Sequence, residues 1–359
     1  MNKIIINKEQ TEIIKGIGIL FIMFHNLFHW IEPITEQNEF IFNPQNVQDL
    51  IFSISNYPLE ILNILLSYFG HYGVQLFIFI SGYGLTISYL SKPQDYTYFI
   101  KNRVSKIYPP LLIVLLALLV YKTFTGGLNG DWLTSAFIKI LMLHTLIPNE
   151  ALTISGPWWF YGLIVQLYIL LIPLLYVIKR WNWKGFLSIL AISYLLIFAL
   201  YNPLMNNDLY IMGNAPGHIP EFALGILLAL KPDFTIRKRY IPILLMLFIL
   251  GNFYFALFPF TFIIAAYLFI IIVLYLFQKK TVFTKYLIFY GKISMYLFAI
   301  HGLCRGPFAK IALDSASPVM TIAMGLLFVA SVTLAAFIFR EAYAFGKKHV
   351  LNLVSKGVS

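Results

Sequence analysis

Two histidines one helical turn apart, His25 and His29, are the residues of this chain best suited to chemistry. Imidazole exchanges protons near neutral pH and can act as a general base, and two such rings on one helix face could also bind a metal ion. No HExxH-type carboxylate accompanies the pair, and Asn26 stands between its members. We therefore expect proton transfer at these residues and no metal site.

Both histidines lie in the first of ten strongly apolar stretches. Of the 359 residues, 60% are hydrophobic and only 11% are charged, whereas a water-exposed surface needs far more charge. The pattern predicts an all-α integral membrane protein, a single domain over residues 1–359 with about ten transmembrane helices. The predicted spans are 13–31, 73–91, 108–124, 157–178, 185–201, 218–230, 240–257, 260–277, 286–304 and 319–340.

Lys and Arg occur mainly in alternate gaps between these spans, and this bias predicts the orientation. If the N-terminus is cytoplasmic, the inner gaps are the basic segments 92–106, 179–184, 231–239 and 279–285, and the tail adds Lys347, Lys348 and Lys356. The outer loop 32–58 has four acidic residues and no Lys or Arg. Segment 133–147 is short and contains Lys139, so it predicts a re-entrant or interfacial helix on the outer side. Both termini are then cytoplasmic, and the net charge of +11 reflects orientation rather than a nucleic-acid partner.

Most histidines fall on the outer side in this arrangement, and only His349 falls inside. Each could cap a helix or lie at the interface, but together they predict a polar chamber that opens outward: His25, His29, His71, His144, His218 and His301. Glu221 lies in a helix beside His218, where an acidic group should pair or be protonated. The other polar residues expected to line a channel are Gln75, Ser81, Gln166, Tyr168 and Ser294.

Arg103 and Lys106 are three residues apart, on the cytoplasmic side, just before a helix that we expect to begin at Pro109. Such a pair could bind lipid phosphate or a phosphorylated cytosolic ligand such as a nucleotide-tailed thioester. Lys15 lies in the first span about 15 Å below His25, at ~1.5 Å per residue. It could be a simple positive-inside anchor. Four glycines predict close helix packing: Gly70, Gly73, Gly82 and Gly84.

In order along the chain, six segments resemble the membrane acyltransferase-3 family, whose members O-acylate carbohydrates and other acceptors. They are KGIGILFIMFH, GVQLFIFISGYGL, RVSKIYPPLL, WFYGLIVQLYILLIP, PEFALGILLA and GKISMYLFAIHG. The resemblance covers almost the whole chain. It implies about ten spans, a cytosolic acyl-CoA donor that is usually acetyl-CoA, and a catalytic histidine in the first span.

The chain departs from the family pattern at that histidine. The family usually places ten residues between a basic residue and the histidine, whereas nine separate Lys15 from His25, and Asn26 holds the expected register. At ~3.6 residues per turn this rotates His25 by about 100°, and His29 lies closer to the Lys15 face. Either His25 acts through a local rotation or His29 takes its role. The basic residue is also Lys rather than the commoner Arg. Ile164 and Val165 stand where the family often has a Glu pair.

The sequence thus predicts a cell-membrane O-acyltransferase that O-acetylates a surface glycan, such as a polysaccharide, or its lipid-linked precursor. Lys15, Arg103 and Lys106 would bind the donor, His25 or His29 would deprotonate the acceptor hydroxyl, and Ser81 or Gln75 would steady the oxyanion.

Acetyl-CoA is a co-substrate in this scheme, and no bound cofactor is expected. The partners are the acyl-CoA donor, a carbohydrate or glycolipid acceptor and the lipid bilayer. Acyl length, and direct transfer against an acyl-histidine relay, stay open. The alternative function is a flippase or exporter of polyprenyl-linked glycans, against which the lack of an internal repeat counts.

Overall fold

The fold is all-α. The computed structural model describes residues 6–37, 39–231 and 238–356, without the side chains of residue 238 and residues 348–356, and these residues contain no strand. The helices are α1 (Lys8–Phe28), α2 (Gln45–Asn56), α3 (Ile61–Phe69), α4 (Gly73–Ser91), α5 (Tyr96–Phe124), α6 (Gly130–Ile140), α7 (Trp159–Met205), α8 (Ala215–Leu230), α9 (Ile241–Phe253), α10 (Phe260–Leu276), α11 (Val282–Ser315) and α12 (Pro318–Lys356). The side chains of Arg237, Lys238, Lys348, Lys356 and His349, assigned above to the inner side, lie outside the described part of the chain.

Among the described residues, six helical stretches are long and apolar enough to cross a membrane: Lys8–Phe28, Pro58–Ser91, Tyr96–Phe124, Gly156–Met205, Val282–Ser315 and Pro318–Lys347. The stretch Gly156–Met205 is broken at Asn182, whose φ of 52° is not helical, and Gly185 packs against the backbone of Val177 across the break. Its two halves are therefore neighbours rather than one rod. Helices α8, α9 and α10 have 13–17 residues, about 20–26 Å, less than the ~30 Å of a bilayer core. The multi-pass, all-α prediction is confirmed, and the count of about ten spans stays a prediction.

Segment 133–147 contains most of the short helix α6 and the start of the loop that follows it. With 11 residues α6 is about 16 Å long, too short for a full crossing. Lys139 is buried and donates to the carbonyls of Glu150 at 2.9 Å and Ala151 at 2.8 Å, and burial lowers the pKa of its ammonium to about 7. His144 donates through Nε2 to the Trp158 carbonyl at 2.9 Å. Burial and the nearby Lys139 lower the pKa of His144 to about 3, so it is a neutral structural residue.

Helix α5 begins at Tyr96, and the prediction that it begins at Pro109 is wrong. Asp95 caps the helix by accepting from the backbone N–H groups of Thr97 at 2.9 Å and Tyr98 at 3.2 Å. This cap starts the helix well before the prolines. A helix bundle tolerates prolines inside a helix because neighbouring groups satisfy the carbonyls that lose their backbone donor. Arg103 and Lys106 are therefore held on a regular helix.

Helix α1 lies at the centre of the bundle, between α11 on one side and α3 and α4 on the other. A Cβ at Gly16 would overlap the Leu287 carbonyl, and one at Gly291 would overlap the Glu12 carbonyl. The backbones of α1 and α11 are therefore in direct contact. On the opposite side, a Cβ at Gly70 would come within 2.7 Å of the His25 Cβ. Helix α1 is therefore tightly packed on both sides.

The other predicted packing glycines divide into two kinds. Gly73 lies against α1 and Gly82 against the backbone of Phe222 in α8, so both allow close helix contacts. A Cβ added at Gly84 would meet no other atom within 4 Å, and this residue lines a cavity instead.

Candidate active site

Two cavities lie next to each other along α1. The first, about 430 Å³, is lined by Lys15, Arg103 and Lys106, and we call it the basic cavity. The second, about 290 Å³, is lined by His25, His29 and His71, and we call it the histidine cavity. Three side chains line both cavities: Ile22, Phe160 and Phe298. The residues expected to bind a donor and those expected to transfer a proton are thus adjacent but separate.

The basic cavity brings together cations from two helices. Lys15 of α1 pairs with Glu12 at 3.1 Å, so part of its charge is neutralised. Arg103 of α5 donates to the Ser88 hydroxyl at 2.8 Å, and its guanidinium lies 5.5 Å from the centre of the Phe99 ring. The predicted channel residues Ser81, Tyr168 and Ser294 complete the lining. Cations in the lining of a mostly apolar cavity suit a ligand with phosphates at one end and an apolar arm at the other.

His25 is buried and held in one tautomer by its neighbours. Its Nδ1 donates to the backbone carbonyl of Ser67 at 2.6 Å. Because a carbonyl oxygen only accepts, Nδ1 carries the proton and Nε2 keeps its lone pair. The ring stacks on His29 with centroids 4.9 Å apart and lies 5.7 Å from the His71 ring. The result is an oriented imidazole whose basic nitrogen can serve the cavity.

His29 has the same tautomer but a different support. Its Nδ1 donates to the His25 carbonyl at 2.7 Å, a bond within its own helix, and the side chain is only half-buried. Both rings line the histidine cavity. Helix α1 runs to Phe28 without a break, so no local rotation of the backbone moves His25 into the register that Asn26 holds. The cavity instead covers the arc of α1 that contains His25, Asn26 and His29.

Arg305 is a site residue that the sequence reasoning missed. It comes from α11 and donates to the Asn26 carbonyl at 3.1 Å and the Asn26 side-chain oxygen at 3.2 Å. Its guanidinium also lies 3.8 Å from the centre of the Trp30 ring. Asn26, in the register where the family has a histidine, therefore contacts an arginine of the same cavity. Between Lys292 and Lys310, Arg305 is the only Lys, Arg, Asp or Glu, and this isolation could have revealed it.

Glu39 and His71 also line the histidine cavity. Glu39 belongs to the loop after α1, and burial raises the pKa of its carboxyl from 4.5 to about 8. At neutral pH this group is mostly protonated, so it can donate as well as accept a hydrogen bond. His71 is buried beside His25 at the start of the α4 region. Sequence reasoning recognised the position of His71 but gave it no role.

Two glutamines predicted to line a channel lie outside both cavities. Gln75 is buried, and with its amide oriented so that both its atoms are satisfied, the nitrogen donates to the carbonyls of His71 at 3.1 Å and Tyr72 at 3.3 Å. Gln166 donates to Thr145 at 3.0 Å and Asn214 at 2.8 Å, and it accepts from the Ala215 N–H at 2.9 Å. Gln75 therefore braces the start of α4, and Gln166 ties α7 to the α6 loop and to α8.

Three further candidates are also buried away from the two cavities. His218 and Glu221 form a pair at 2.7 Å, as an acidic group in apolar surroundings requires. The His218 ring lies between Trp159 and Phe262, at centroid distances of 5.7 and 5.6 Å. His301 donates to the Phe298 carbonyl of its own helix at 3.0 Å. Of the six histidines expected in one chamber, three share the histidine cavity, whereas His144, His218 and His301 do not.

The comparisons with known proteins come to one match. The family model for an acyltransferase domain, that of the acyltransferase-3 family, matches residues 10–341. No curated protein and no solved structure matches the chain. The match includes every helix that lines the two cavities, and it confirms the resemblance read from the six segments. The chain therefore belongs to the acyltransferase-3 family and is an acyltransferase, an enzyme that transfers groups other than amino-acyl groups.

Proposed function

We propose that this membrane O-acyltransferase moves an acetyl group from cytosolic acetyl-CoA to a hydroxyl of a cell-surface glycan or its lipid-linked precursor. The observation that carries the proposal is the position of His25. Its ring is fixed through Nδ1, its Nε2 is free to accept a proton, and its cavity shares a wall with the basic cavity. A carrier has no need of such an arrangement.

The donor would enter through the basic cavity. Arg103 and Lys106 bind the phosphates of CoA, and Lys15, paired with Glu12, adds a weaker attraction. The apolar lining below them accepts the pantetheine arm, and Ser81, Tyr168 and Ser294 offer it hydrogen bonds. Because acyl-CoA is made in the cytosol, the proposal assigns the basic cavity to the cytoplasmic side of the cell membrane, in line with the cytoplasmic termini that the Lys and Arg bias predicts.

The acceptor would occupy the histidine cavity. As its hydroxyl oxygen attacks the thioester carbonyl carbon, His25 Nε2 takes the hydroxyl proton. The new C–O bond forms, the C–S bond breaks, and the proton passes from His25 to the departing thiolate, which leaves as CoA thiol. His29, in stacking contact, is the second base candidate. This direct transfer needs no acyl-enzyme.

The negative charge that develops on the thioester carbonyl oxygen needs a hydrogen-bond donor or a cation nearby to stabilise it. Arg305 is a cation that lines the histidine cavity together with His25, and it donates to the Asn26 carbonyl one residue further along α1. Ser81 lines the basic cavity and can act only from that side, and Gln75 is committed to backbone carbonyls away from both cavities. We therefore assign the electrostatic role to Arg305, with Ser81 as the alternative.

Two measurements test the proposal. Purified protein in lipid nanodiscs should bind acetyl-CoA saturably, and mass analysis should show acetylated surface glycan only in cells that express the active protein. His25→Asn serves as the matched inactive control, because its amide can keep the hydrogen bond to the Ser67 carbonyl. Absence of saturable binding, together with equal glycan acetylation in cells with and without the protein, would refute the donor and acceptor assignments.

A further inference from the structure

The wall between the two cavities consists of three apolar side chains from three helices. Ile22 comes from α1, Phe160 from α7 and Phe298 from α11, and each lines both cavities. The Phe160 and Phe298 rings are 5.2 Å apart between centroids and inclined at 57°, which is direct contact. We call these three side chains the partition. Donor and acceptor can therefore come into contact only through an opening between these three side chains.

The three members are not equally fixed. Ile22 is buried, and its side chain packs closely against Gly73. Phe298 is buried and backed by Tyr161 at 5.4 Å and His301 at 5.5 Å. Phe160 is only half-buried, with the Phe77 ring 6.4 Å away on the basic side. Phe160 is thus the member with room to turn, and the other two define the edge of the opening.

We infer that the partition sets the length of the acyl group and restricts transfer to short chains. This inference rests on the proposed function. The pantetheine arm fills the basic cavity, so the thioester carbonyl faces the histidine cavity and the acyl tail lies against the side chains of the partition. The histidine cavity has about 290 Å³, at the lower end of the range of roughly 300–1,000 Å³ for ligand pockets, and must also hold the acceptor.

An acetyl tail is a single methyl group and fits beside the acceptor. A butyryl tail adds two methylenes, which would have to lie where the phenyl rings now are. Removing the Phe160 ring joins the two cavities and gives such a tail an apolar space. The side chains of the partition therefore discriminate between acyl donors by steric exclusion.

The test compares kcat/KM for butyryl-CoA with kcat/KM for acetyl-CoA in the purified protein. Phe160→Ala should raise this ratio by about tenfold or more, since one methylene in an apolar site is worth roughly 10–200-fold. Phe298→Ala should raise it as well. Two matched controls remove a phenyl ring from one cavity only: Phe77→Ala on the basic side and Phe40→Ala on the histidine side. Both should leave the ratio within about threefold of the parent.

Several results would overturn the inference. They are an unchanged ratio in Phe160→Ala, an equal rise in the Phe40→Ala control, or a parent enzyme that already uses butyryl-CoA as well as acetyl-CoA. Phe160→Leu provides a second variant if the alanine protein unfolds, and it should show a smaller rise in the same direction. A parent protein that uses no acyl-CoA at all would refute the proposed donor instead, so the two failures are distinguishable.

Discussion

Replacing His25 by asparagine separates the two roles of its imidazole. Nδ1 donates the 2.6 Å hydrogen bond to the Ser67 carbonyl, and Nε2 is the proposed base. The amide nitrogen of asparagine occupies a place similar to Nδ1 and can keep the bond, but nothing replaces Nε2. A general base contributes roughly 10²–10⁴-fold to a rate. We expect His25→Asn to lower kcat by that factor while leaving the melting temperature close to that of the parent.

The alanine variant gives the contrast. His25→Ala should lose the same activity and also stability, because it leaves the buried Ser67 carbonyl unpaired, at a cost of about 1–3 kcal/mol. His29→Ala removes only a bond within α1 and should reduce kcat by less than about tenfold. Radiolabelled acetyl transfer and thermal unfolding in detergent measure the two effects. Retention of more than a tenth of the parent kcat by His25→Asn would show that His25 is not the base.

Three further outcomes follow from the site. Arg103→Ala should raise KM for acetyl-CoA about tenfold with kcat preserved, because a partly exposed charged hydrogen bond is worth ~1.5–3 kcal/mol at most. Added salt should reduce the difference in KM between the parent and the variant, and a fall in kcat alone would contradict this assignment. Glu39→Gln should flatten the pH dependence of stability. Because the pKa of Glu39 is raised, the folded protein keeps a proton that the unfolded chain loses, so the parent melting temperature should fall as pH rises from about 4.5 to about 8. If the melting temperature changes equally with pH in the parent and in Glu39→Gln, the burial of this carboxyl is refuted. In a background without Cys304, an impermeant thiol reagent added outside cells should label Asp208→Cys and spare Lys184→Cys; labelling of the latter would invert the proposed orientation.

The membrane-spanning character of the chain could be predicted because it depends on local composition. Whether a run of residues suits a bilayer depends on the run itself, and the basic segment 179–184, predicted to separate two spans, contains the break of α7 at Asn182. Lys15, Arg103 and Lys106, which the sequence predicts to bind a donor, share one cavity for a similar reason. They are cations near the ends of apolar helices, and in a helix bundle the ends of neighbouring helices lie at a similar depth.

The fate of single polar side chains could not be predicted in the same way. Gln166 and His218 lie within apolar helices just as Tyr168 does, but the residues that cover them, such as Asn214 and Trp159, come from elements distant in sequence. Helix periodicity gives the face of a residue and not the neighbour that meets it. Arg305 was missed because the predicted ninth span ends at residue 304, whereas α11 continues to Ser315. Helix ends depend on tertiary contacts that hydropathy does not report.

The direct contact between the backbones of α1 and α11 limits how the protein can move during turnover. Gly16 and Gly291 join the two helices without an intervening side chain, and Arg305 fastens α11 to Asn26 further along. A tilt of one helix against the other would break these contacts, so we expect the two helices to move together. A passage between the cavities must then open by rotation of a side chain on another helix. Such rotamer changes are faster than helix displacements, which take microseconds to milliseconds, and both are fast compared with a typical turnover of about 10 per second, so opening of the passage would not limit the rate.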